Sequence, residues 1–152
     1  MRKEDRKKVL ITLNGNYAAA DQGDDRVEMV IPGHLMRKDE QVYLRFDEPA
    51  EESGVEPVHT LITYPKTKDS AQVVRTGPIR SRMIFEVGKR SECHYDMGMG
   101  VLELSLVTTK LEIREEKEQI LLMIHYSLDA GQGQVVDCAI DLTVREKVSV
   151  HE

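Results

Sequence analysis

The densest run of side chains able to do chemistry lies between Arg75 and Tyr95, in RTGPIRSRMIFEVGKRSECHY. Arg75, Arg80, Arg82, Lys89 and Arg90 stand there against only Glu86 and Glu92. That is a net +3 inside a chain of −6, so the remainder carries −9. A cationic, strand-patterned band in an acidic protein either binds an anion or is neutralised by the protein's own carboxylates.

Elsewhere the chemistry is sparse. The ten glycines are scattered, and Met97-Gly98-Met99-Gly100 lacks the strand–turn–helix setting of a phosphate-cradling loop. Histidines at 34, 59, 94, 125 and 151 show no metal-ligand spacing. Cys93 and His94 are adjacent, so on a strand they point to opposite faces and form no thiolate–imidazole couple. Asp137 and Asp141 share a face but sit about 13 Å apart along a strand, too far for paired acid–base work on one bond. Five Tyr, two Phe and no Trp give no base-stacking platform. No catalytic residue, metal or cofactor is expected, and nothing argues for an enzyme.

The elements that must carry these residues are strands. The 152 residues suit one domain, and 40% hydrophobic with 32% charged residues describes a soluble globular chain. The acidic balance opposes nucleic-acid binding. The longest apolar run, Ile120 to Ile124, is far short of the roughly 20 residues of a spanning helix, so no membrane role is expected. The start, MRKEDRKK, lacks the apolar core of a secretory signal. Cys93 and Cys138 are 45 residues apart on apolar strand phases, which predicts buried free thiols and a cytoplasmic location. The expected division is a polar arm over 1–7, a barrel domain over 8–146 and a tail over 147–152.

Period-two alternation runs through the chain. Val9, Ile11 and Leu13 keep one parity before Gly15-Asn16. Val27, Met29 and Ile31 keep one until Pro32-Gly33, which is expected to end that strand. Val42, Leu44 and Phe46 precede an acidic loop through Glu51-Glu52-Ser53-Gly54. Strands are predicted over 58–64, 72–76, 79–87, 119–128 and 136–145. Leu102, Leu104 and Leu106 hold one parity while Val107, Thr109, Leu111 and Ile113 hold the other, which predicts a β-bulge or bend near Leu106-Val107. The pattern predicts an all-β fold, a single antiparallel up-and-down barrel of about 8–10 strands, closed so that no sheet edge is left bare.

Parity divides the cationic band. Ile79, Ser81, Met83, Phe85 and Val87 share one face, and Arg80, Arg82, Ile84 and Glu86 the other. A three-residue loop at Val87-Gly88-Lys89 pairs Glu86 with Arg90, Phe85 with Ser91 and Met83 with Cys93; a longer loop or a bulge is the alternative. Glu86 is then expected to neutralise Arg90, with Arg82 opposite His94. Arg75 shares parity with Ala71 and Val73, while Gln72, Val74 and Thr76 hold the other, which leaves its side open. An inward Arg75 needs an internal carboxylate or a ligand anion.

These residues also form an ordered signature: Val9-Leu10-Ile11-Thr12, then Tyr43-Leu44 with Asp47-Glu48, then Arg75-Thr76-Gly77. Met83-Ile84-Phe85-Glu86-Val87-Gly88-Lys89-Arg90 and Tyr95 follow, and Gly100 with the Thr109–Leu111 strand completes it. It resembles the YwiB-like family of bacterial proteins, the family of the domain of unknown function 1934, over about residues 8–145. The resemblance implies a calycin-like, lipocalin-type barrel in small cytoplasmic proteins with no assigned role. It implies no catalytic residues. Where the family usually shows Thr-Pro, an aromatic residue and Gly after the tyrosine, Asp96-Met97-Gly98-Met99-Gly100 keeps only the last glycine.

Two functions fit. One is a non-catalytic barrel binding a small amphipathic or anionic ligand, with Met83, Phe85, Cys93 and Tyr95 lining the wall and Arg75 supplying charge. The other is an interaction module whose outward Arg80, Arg82 and Arg90 dock an acidic protein or a second copy of the chain, a homodimer.

Overall fold

The alternating segments become ten antiparallel strands in the computed structural model, which describes residues 6–18, 26–48, 56–96, 98–131, 133 and 135–146. They are β1 (Arg6–Ala18), β2 (Arg26–Lys38), β3 (Gln41–Glu48), β4 (Val58–Pro65) and β5 (Ala71–Thr76). After these come β6 (Arg80–Phe85), β7 (Arg90–Asp96), β8 (Val101–Glu116), β9 (Gln119–Asp129) and β10 (Val135–Glu146). Each strand pairs with its chain neighbour, and β1 pairs with β10 as well, so the sheet is a closed up-and-down barrel. β1 begins at Arg6, two residues inside the segment expected to be an arm. The rest of that arm, residues 1–5, lies outside the described residues, as do the acidic loop 49–55, Met97, the tail 147–152 and His151.

Inward positions build the core because they alternate with solvent-facing ones along every strand. Val9, Ile11, Ile62, Val73, Phe85, Leu106, Leu122, Ile124 and Leu142 are all less than 2% exposed. The Phe85 and Tyr126 rings, from β6 and β9, meet at 4.9 Å, tilted by 58°, inside the barrel. Both cysteines are buried free thiols, and burial pushes both thiol pKa values up. The outer wall is charged, with Arg45, Arg82, Glu103 and Asp137 exposed. This polarity is the inverse of a bilayer-spanning barrel, whose outward band is apolar. Among the described residues no helix is long and apolar enough to cross a membrane.

Three local features depart from the sequence pattern. The parity switch in β8 occurs at a bulge between Thr108 and Lys110, two residues beyond the expected place. Pro32-Gly33 does not end β2, which runs on through His34 to Lys38. The ladder to β3 begins only at Gly33, so Pro32, with no N–H to give, sits where that ladder stops and the strand stays paired to β1. Gly33 is needed for close approach: a Cβ there would fall 2.6 Å from Ile11 Cδ1 and 2.7 Å from the Arg45 carbonyl oxygen. Third, the β6–β7 turn binds Glu86 differently from expectation. Lys89 N–H donates to the Glu86 carbonyl at 3.1 Å, with Gly88 at φ +81 in the third position, where a type II turn needs the left-handed region. The tip leans on β8, where Glu86 N–H donates to Thr108 Oγ1 at 3.2 Å.

The strands divide the connections between two ends. One end carries the short turns 39–40, 66–70, 86–89 and 117–118. The other, where β1, β3, β5, β7 and β9 finish, carries 56–57, 77–79, 98–100 and 130–131 among the described residues and is the mouth.

Candidate functional site

Backbone register brings scattered polar residues together just inside the mouth. Thr60 pairs with Arg75, Arg75 with Ser81, Ser81 with Tyr95 and Tyr95 with Leu102. All five have inward parity, so four adjacent strands present one polar row that gives way to an apolar residue on β8. The side of Arg75 left open by its neighbours is therefore inward. Its guanidinium Nε lies 3.3 Å from Glu48 Oε2, and the two side chains are only 11% and 17% exposed. Thr60, itself buried, donates from Oγ1 to the same carboxylate oxygen at 2.6 Å. Ser81 is 7% exposed, and its Oγ has no hydrogen-bond partner among the described residues.

The opposite side of the mouth is apolar and open. Leu102 and Val136 have the parity of buried neighbours yet are 54% and 38% exposed. Leu104 and Leu128 are half-buried against the core. The wall itself parts here, because the β8–β9 ladder begins only at Ser105 and leaves Leu102 and Leu104 paired to β7 alone. Deeper in, Met83, Phe85 and Cys93 face inward as expected, but as closely packed core; Tyr95 faces inward and is half-buried. Burial dominates the Cys93 thiol and raises its pKa, although the charge of Arg75 acts to lower it.

The outward arginines do not form the expected patch. Arg80 and Arg82 lie on β6 toward the mouth, whereas Arg90 starts β7 at the other end. Nor does Glu86 neutralise Arg90. Lys89 takes that carboxylate at 2.7 Å, because the turn swings the lysine over Glu86. The expected register itself holds where β6 and β7 pair, at Arg80–Asp96 and Ser81–Tyr95.

Register instead aligns Arg82 with cations whose outward single charges carried no signal in the sequence. The outer row reads Lys8, His34, Arg45, Leu61, Val74, Arg82 across β1 to β6. Two adjoining clefts of about 740 and 480 Å³ lie on this wall and share Arg6, His34, Arg45 and His59. His125 is an outer-wall residue, half-exposed, with Nε2 3.7 Å from Asp141 Oδ1. Among the described residues no three His, Cys, Asp or Glu side chains converge to hold a metal.

A closed, all-β, ten-stranded antiparallel barrel with a packed axis and a polar row at one end defines the class. The model of the family described as a domain of unknown function, DUF1934, matches residues 11–142, and the chain belongs to that family. The "Uncharacterized beta-barrel protein YwiB" of Bacillus subtilis (strain 168) is 26% identical over 125 residues, covering 82% of this chain and 84% of that protein. The crystal structure of the ywiB protein from Bacillus subtilis has the same fold, with a TM-score of 0.80 over 95% of this chain and 94% of that one at 19% identity. The relative's name assigns it no biochemical role.

Proposed function

We propose that the protein is a non-catalytic binding barrel that takes a small amphipathic anion at its mouth. Arg75 and Ser81 hold the anionic group, and Leu102, Leu104, Leu128 and Val136 receive the apolar part. The observation that carries this is the pairing of a nearly buried guanidinium with inward apolar residues left exposed across the opening. A leucine turned toward a barrel interior but half in water is a surface an apolar group covers favourably, at about 25 cal/mol per Å². A guanidinium in a water-poor recess favours a planar anion. Glu48, the last residue of β3, reaches Arg75 at 3.3 Å. A ligand carboxylate would take its place, and Glu48 would turn outward to solvent. Because the axis below is filled, the ligand lies in the opening rather than along the barrel.

Thermal unfolding with decanoate and with decanol tests this. Decanoate at ten times its Kd adds about 1.4 kcal/mol of linkage, or roughly 3–6 °C for a domain of this size. Decanol should give little, and the Arg75→Leu/Glu48→Leu double variant should show no decanoate shift. Equal shifts from both compounds, or none from either, would overturn the proposal.

A further inference from the structure

We propose that the outer wall of β1 to β6 docks an acidic, amphipathic protein segment lying across the strands. This is independent of the mouth, since Arg75 and Glu48 face inward and line neither outer cleft. Arg6, Lys8, Arg45 and Arg82 make no ion pair among the described residues, although this chain carries six more negative charges than positive ones. Among the described residues the only carboxylate lining the two clefts, Asp47, is held by His59 Nδ1 at 2.7 Å. Between the cations the floor is apolar: Met36, Tyr43, Leu61 and Val74 are half-buried on the outward face. Unanswered charge around an apolar floor is complementary to carboxylates flanking apolar side chains.

Register sets the pattern. Six residues on neighbouring strands about 4.8 Å apart span about 24 Å, the reach of seven or eight extended residues. Lys8, His34 and Arg45 take the first part, Leu61 and Val74 the middle, and Arg82 the far end. The matching segment is therefore acidic, then apolar, then acidic. A second copy is a poor occupant, because a two-fold contact here sets the cations of one copy against those of the other. A nucleic acid is disfavoured by the net negative field and by a floor with one aromatic ring.

Fluorescence anisotropy with a labelled Glu-Glu-Glu-Glu-Leu-Leu-Glu-Glu peptide tests the surface. Binding is expected at about 20 mM salt and should weaken at about 300 mM, where the Debye length is shorter. Arg45→Glu should weaken it about 10-fold or more and Arg82→Glu about 3-fold, by loss of attraction plus new repulsion. Arg114→Glu, on the opposite wall, should change it less than about twofold. Should Arg45→Glu fail to fold by circular dichroism, Arg45→Gln gives the same reading with a smaller loss. No binding at low salt, equal binding of the peptide with Lys for Glu, equal binding of an eight-nucleotide oligothymidylate, or equal loss in Arg114→Glu would each overturn the proposal. Loss of peptide binding with the decanoate shift intact locates the failure here, not at the mouth.

Discussion

The two ends of the barrel use the same ingredients differently. Each places an arginine against a glutamate at inward-parity positions, and each buries a hydroxyl with no hydrogen-bond partner among the described residues: Ser81 at the mouth and Tyr64 at the other end. At the short-turn end, Glu115 is held on both oxygens, by Arg37 Nη2 at 2.6 Å and by Lys68 Nζ at 3.3 Å. Lys7 and Glu146 add a second pair at 2.9 Å. A two-residue turn, Asp39-Glu40, holds β2 to β3 there with both residues at positive φ, as a type I′ hairpin requires. At the mouth, among the described residues, Glu48 meets the Arg75 guanidinium at 3.3 Å and the Thr60 hydroxyl at 2.6 Å, and the strands beside it have lost a neighbour. A carboxylate held by two cations is a bolt. One held by a single guanidinium and a neutral hydroxyl can be exchanged.

Breaking the mouth pair should give the largest effect. Arg75→Leu leaves the Glu48 carboxylate in a poorly hydrated recess with, among the described residues, only Thr60 to answer it. Urea unfolding should show a loss of about 3 kcal/mol, most of it recovered in the Arg75→Leu/Glu48→Leu double variant. A single variant as stable as the parent would show that the pair does not act as a unit.

Gly33 marks where the two ends part company, since β2 above it pairs with β1 alone. Gly33→Ala forces a methyl against the Ile11 side chain and the Arg45 backbone, and should cost about 2 kcal/mol in the same measurement. A neutral result would mean that β1 and β3 yield at this point.

The bolt should be weaker but dependent on pH. Glu115→Gln keeps the shape and removes the charge, for a loss of about 1.5 kcal/mol at neutral pH. Burial acts to raise the Glu115 pKa, yet hydrogen bonds and charge from Arg37 and Lys68 outweigh it and hold the carboxyl below its ordinary 4.5. Its folded pKa being the lower one, the stabilisation is present above the unfolded value and is lost as pH falls through the folded value. The gap between parent and variant should therefore be constant above about pH 5.5 and close progressively below 4.5. A gap unchanged down to pH 3 would exclude Glu115 as its source.

These contrasts were unevenly legible in the chain. The barrel, the β8 parity switch and the outward face of Arg80 and Arg82 follow from alternation, a local property of each strand. Pro32-Gly33 was misleading because the pair that ends a strand in a turn also serves at the point where one ladder stops and another continues. The side of Arg75 was unreadable locally, since both parities of its strand hold apolar residues. Its partner Glu48 is 27 residues away and joins it only through the β3–β4 and β4–β5 registers. The outer row is the extreme case. Lys8, Arg45 and Arg82 each look like an ordinary solvated charge, and only five successive registers align them.

The smallest effects separate the ends most cleanly. Ser81→Ala and Tyr64→Phe each remove a buried hydroxyl that has no hydrogen-bond partner among the described residues, so each should be neutral or slightly stabilising, within about 0.5 kcal/mol. Burial and the Glu115 charge push the Tyr64 phenol far above its ordinary range, so it stays neutral and supplies no anion of its own. With decanoate the two variants should diverge. Ser81 neighbours Arg75 across the strand pair, and losing its Oγ–H removes a donor to the incoming carboxylate; a typical hydrogen bond to a charged group implies about 10-fold weaker binding. Tyr64→Phe acts at the bolted end and should leave the decanoate affinity unchanged. If both variants weakened it equally, decanoate would be reporting on the barrel as a whole, and the distinction between an exchangeable end and a bolted one would be lost.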